Sequence, residues 1–126
     1  MKRHRGFTLI EMLMVVVIIG ILLTVLIPRF ATSRDQAFVA AMTSDLRNLA
    51  TSEESYFYDY DSYSPDVAHL PAFSASTGVT VTITAANQTG WSGSASSVNS
   101  SRQCHLFVGN VPPIGAATQE GQVACD

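Results

Sequence analysis

The chain has 126 residues, 47% of them apolar and only 13% charged, with a formal net charge of −3. That length suits a single domain, yet the apolar residues crowd the first quarter, while Thr, Ser, Asn and Gly dominate from about Ser74 onward. Lys2, Arg3 and Arg5 account for three of the seven basic residues, which leaves four against ten acids from Phe7 onward. Nucleic-acid binding over a broad surface needs clustered Lys and Arg, so this balance argues against it.

Phe7 to Ile27 is an apolar stretch with one charge, Glu11. As a helix at 1.5 Å per residue it would be about 31 Å long, enough to cross a hydrocarbon core. The basic cluster ahead of it should stay cytoplasmic and send the rest of the chain outward. Length and orientation alone fit a permanent anchor, a cleaved secretory signal or something more particular. The stretch is too long for a signal peptide's apolar region and flows into a helical pattern. A plain anchor has no use for Glu11, whose burial would cost roughly 2.5 to 3.5 kcal/mol at a membrane centre and less near the end.

The run Lys2 to Arg5, then Gly6, Phe7, Thr8, Leu9, Ile10 and Glu11, then apolar residues, resembles the class III signal and N-terminal helix of the type IV pilins and pseudopilins. The resemblance implies cleavage by a prepilin peptidase after Gly6, methylation of the new N-terminal residue Phe7, and retention of the apolar segment. It also implies that Glu11 matches each incoming subunit to the filament. Physically, cleavage would create a cationic amine four residues from Glu11, and side-by-side helices with an axial stagger could bring the carboxylate to a neighbour's amine. Two unit charges 4 Å apart attract by roughly 4 kcal/mol at an effective dielectric near 20, which offsets the cost of burial.

Further along, Gly20 and Pro28 mark the weakest part of the helix, because glycine is a poor helix former and proline lacks an amide donor; a kink is expected at Pro28. Phe38, Met42, Leu46 and Leu49 recur at spacings of four, four and three, an amphipathic stripe whose intervening Arg34, Asp35, Asp45 and Arg47 suit a solvated or subunit-facing side. One helix from about Thr8 to Tyr58 should end in the turn formers around Asp59, Asp61 and Pro65. Of Tyr56, Phe57, Tyr58, Tyr60 and Tyr63, several are expected to pack the helix end against the head. Asp59, Asp61 and Asp66 lack the spacing and the glycine of a calcium loop.

Val79, Val81 and Ile83 alternate with threonines as a half-buried strand does, and segments from Thr89 and Arg102 read as two more. The expected fold is therefore α+β: a long N-terminal helix packed on a three- or four-stranded antiparallel sheet, with Trp91 in the core. Cys104 and Cys125 lie downstream of a membrane-targeting segment with no metal-binding spacing, which favours a disulfide worth on the order of 3 kcal/mol. The order of helix, sheet and tied C-terminal loop also resembles the small bacterial type IV pilins. The expected divisions are a leader at 1–6, a membrane and filament-core helix at 7–28, an amphipathic helix at 29–58 and a β head at 59–126.

Enzymatic chemistry finds little support. "GWSGS" at Gly90 to Ser94 fails the nucleophile-elbow pattern at its last position, and His69 and His105 read as turn or surface residues. Neither a phosphate loop nor zinc spacing occurs, so no cofactor or metal is expected. Sequons at Asn87 and Asn99 are common by chance in such a composition.

The resemblance implies a pilus subunit: a homopolymer used in adhesion, twitching motility or DNA uptake, passing from the inner membrane to the extracellular filament through an assembly platform and ATPases. A type II secretion pseudopilin and a monomeric membrane-anchored binding module are the alternatives. Arg102 is the only basic residue after Arg47, so no nucleic-acid contact is expected of this subunit.

Overall fold

The computed structural model describes residues 6–126; apart from Gly6, the expected leader lies outside the described residues. A helix, α1, spans Leu9–Tyr60 and is followed by a short 3-10 turn, Val67–His69. Four strands come next: β1 (Val79–Ala86), β2 (Gly90–Ser97), β3 (Gln103–Gly109) and β4 (Ala124–Cys125). They form one antiparallel sheet in sequence order. The chain divides into two compact units, one reaching Arg34 and the other spanning Asp35–Asp126.

In the C-terminal unit the apolar stripe of α1 meets the sheet. Met42, Leu46 and Leu49 are buried with Val79, Val81, Trp91, Ala95, Cys104 and Leu106, which all share one face of the pleat. Phe38, the first residue of the expected stripe, is only half-buried. Gly93 is small for a reason: a Cβ there would stand 3.2 Å from the Leu49 side chain, the Thr82 carbonyl and the Trp91 ring at once. The opposite face is covered in part by the chain after β3, where Phe107, Val111 and Ala117 make a second, smaller cluster. β2 therefore has buried residues on both sides of the strand, consistent with its Gly, Ala and Ser content.

The segment after α1 meets β1 at its two ends. The Tyr63 N–H donates to the Asn87 carbonyl beyond one end of the strand, and the Val79 N–H donates to the Ser76 carbonyl at the other. The helix itself ends on Asp61, whose φ of 53° and N–H bond to the Phe57 carbonyl make a left-handed cap.

Two sequence expectations are corrected here. Asp45, expected on a solvated or subunit-facing side, is 2% exposed; its two carboxylate oxygens accept from the Ser76 N–H and hydroxyl, each at 2.8 Å, which compensates the burial. His105, read as a turn or surface residue, is buried in β3. Its Nε2 lies 3.7 Å from an Asp126 carboxylate oxygen, and the backbone of Gly115 lies so close to the ring that a Cβ there would overlap it.

Candidate functional site

The N-terminal unit begins with a local answer to the question of Glu11. Thr8 precedes the first helical residue, and its hydroxyl accepts from the Glu11 N–H at 3.3 Å. In return one Glu11 oxygen accepts from both the Thr8 N–H and the Thr8 hydroxyl, each at 2.8 Å. This is a reciprocal capping box: the carboxylate satisfies donors that no helical carbonyl reaches and sits at the positive end of the helix dipole. Within a single chain, then, Glu11 already has a partner. Sequence reasoning passed over Thr8, although the T-x-x-E spacing ahead of an apolar run was its signal.

Beyond the cap, the apolar side chains of this unit lie open. Leu9 is 86% exposed and even Leu26, among the best covered, is 45% exposed. Contiguous apolar surface of this kind marks a membrane or protein contact, and α1 is long and apolar enough to cross a membrane. Gly6 and Gly20 have no neighbour within 4 Å of a would-be Cβ. Neither glycine is required by the packing of the described chain, although Gly20 costs its helix roughly 0.5 to 1 kcal/mol relative to alanine. Helical structure continues through Pro28; nearby, the Thr32 and Ser33 hydroxyls donate to the Pro28 and Arg29 carbonyls.

In the C-terminal unit, Cys104 and Cys125 form a disulfide across directly paired positions of β3 and β4, with Cα atoms 4.0 Å apart. Arg102 reinforces it by donating to the Asp126 and Cys125 carbonyls. Acids of α1 fasten the loops: Asp35 accepts from the Ser100 hydroxyl, Asp45 from Ser76, and Glu53 from the Ser64 N–H at 2.8 Å. Glu53 is fully buried and its second oxygen has no hydrogen-bond partner. Burial pushes its carboxyl above the usual range, against the lowering effect of the Ser64 N–H, and neighbouring Glu54 raises it further. Asp66 caps the 3-10 turn through the Ala68 N–H. Of the aromatic group, Tyr56, Phe57 and Tyr63 are half-buried, whereas Tyr58 and Tyr60 are exposed.

Comparison with known proteins adds to this picture. Residues 1–27 match the prokaryotic N-terminal methylation motif. The type IV major pilin protein of Myxococcus xanthus is 40% identical over 76 residues, 60% of this chain and 34% of that protein. The type IV wide pilus major component of Thermus thermophilus is 40% identical over 70 residues, 56% of this chain and 53% of its own length. The type II secretion system core protein G of Pseudomonas aeruginosa is 37% identical over 62 residues, 49% of this chain and 44% of that protein. The chain thus spans between a third and about half of the length of these relatives. It carries an N-terminal methylation motif ahead of a long apolar helix and is similar, over about half of its length, to type IV pilins and to a type II secretion core protein.

Proposed function

We propose that this chain is a structural subunit of a type IV pilus, cut after Gly6 by a prepilin peptidase, methylated on Phe7 and polymerised through its N-terminal helix into an extracellular filament. The observation that carries this reading is an exposed apolar stretch, Phe7 to Ile27, whose single acid, Glu11, lies in the first turn of α1, four residues from the amine that cleavage would create. Before assembly the inner membrane covers the apolar side chains, and the capping box holds Glu11. On assembly, neighbouring helices replace lipid and the Phe7 amine of one subunit neutralises Glu11 of another. Gly20 and Pro28 give the intervening helix room to bend as it packs. An assembly platform and ATPases would drive the transfer.

The acids and serines of the C-terminal unit hold its loops in place. The match to a secretion core protein supports a second reading, a pseudopilin of a type II secretion system. The disulfide-tied C-terminal loop and the two pilus relatives favour the pilus.

Intact mass and N-terminal sequencing of the membrane-extracted protein test the processing: the mature chain should start at Phe7, carry one methyl group and lack the two thiol hydrogens. Glu11→Ala should be processed and inserted normally yet yield few sheared filaments, because the neighbour's amine would be left unpaired among apolar helices at about 3 to 5 kcal/mol. Normal filament yield from that variant would refute the pairing. Loss of protein secretion with intact surface filaments, on deleting the gene, would favour the pseudopilin.

A further inference from the structure

One concave surface of the C-terminal unit has no part in that reading. A hollow of about 220 Å³ lies between the last turns of α1, at Ser52, Ser55, Tyr56, Asp59 and Tyr60, and the chain from His69 to Ala72. It adjoins a larger one of about 460 Å³ that shares Ser52, Ser55 and Ala72 and reaches Asn48 and Thr51.

The lining disfavours an anionic ligand. Neither hollow is lined by Lys or Arg, so a phosphate or carboxylate would find no counter-charge, and Asp59 would repel it. The serines, Thr51 and Asn48 give the groove a polar rim beside the apolar Leu70, Pro71 and Phe73. What the groove offers is an aromatic platform beside a hydrogen-bonding rim. Tyr56 and Tyr60 stack with centroids 4.4 Å apart and planes at 29°, and Tyr60 is 66% exposed. Next to them stand the Asp59 carboxylate, the His69 imidazole and the Ser52 and Ser55 hydroxyls. A sugar ring is complementary to this pairing: its C–H face packs on an aromatic ring, while its hydroxyls donate to a carboxylate and exchange hydrogen bonds with serine and imidazole.

We propose that this groove binds a neutral saccharide, with one ring stacked on Tyr60 and its hydroxyls held by Asp59, His69 and the two serines. Binding requires only the C-terminal unit and stands apart from the filament reading. The test uses the full chain in a phosphocholine detergent, since maltoside headgroups would compete. Cellobiose, maltose and N,N′-diacetylchitobiose are titrated in turn and followed by saturation-transfer NMR, with Trp91 fluorescence as the check on folding.

At least one disaccharide should bind saturably. Tyr60→Ala and Asp59→Asn should each weaken that binding about fivefold, the scale of one stacking contact or one hydrogen bond. Tyr58→Ala, at a position 89% exposed and outside the groove's lining, should leave it unchanged. Absence of saturable binding by all three sugars would overturn the proposal. So would equal weakening by Tyr58→Ala, or tighter binding of glucuronic acid than of the neutral sugars.

Discussion

The two units of this chain treat their side chains in opposite ways. Up to Arg34, leucines, isoleucines and valines lie open and the lone acid is used up in a helix cap. From Asp35 onward, most of the large apolar residues are buried or half-buried, with Val98, Tyr58 and Tyr60 exposed, and two acids, Asp45 and Glu53, are buried among them. The contrast teaches what each unit relies on. The C-terminal unit encloses its own core; the N-terminal unit has an apolar surface that must be supplied with a solvent, first lipid and then, on the reading above, its own copies.

Substitutions in each unit probe that division. Trp91→Ala should cost the C-terminal unit about 3 to 5 kcal/mol in chemical denaturation, since the ring is wholly buried. Leu13→Ala, at a residue 60% exposed, should leave the same transition unmoved. A matching loss from both would mean that the N-terminal unit shares the core.

Cys104→Ser should cost on the order of 3 kcal/mol by releasing the loop between positions 104 and 125, and wild-type protein under reducing conditions should follow it. Asp45→Ala should cost about 1 to 3 kcal/mol, because the Ser76 N–H and hydroxyl lose their acceptor. Substituting the exposed Asp59 should change stability by no more than about 0.5 kcal/mol.

The smallest expected effect concerns pH. Because burial raises the Glu53 carboxyl in the folded chain, the folded state holds its proton over a range where the unfolded chain has lost it. This contribution is therefore full below the ordinary carboxylate value near 4.5 and is lost as pH rises through the raised one. Urea midpoints measured across that range should fall with pH in the wild type relative to Glu53→Gln; parallel curves would mean that Glu53 ionises as it does in the unfolded chain.

Much of this was legible in the sequence because it depends on period and length. The Val/Thr alternation of Val79 to Thr84 gave β1, the spacing of Met42, Leu46 and Leu49 gave the buried face of α1, and two cysteines after an export segment gave the disulfide. What escaped depends on partners far along the chain. Asp45 is buried because Ser76 meets it, 31 residues away, and His105 because the Gly115 backbone and Asp126 close over it. No periodicity announces such meetings. Thr8 is different: its pairing with Glu11 is local, and a search for a capping box would have found it.

The last strand has a consequence of its own. β4 is two residues long, too short to hold the end of the sheet by backbone pairing, so the bridge to Cys104 fastens it. A copy that reached the outside with both thiols unoxidised would have a tail free to peel away, uncovering Phe107 and Ala117 to proteases. Oxidation would thus be the step that locks the C-terminal end of the sheet.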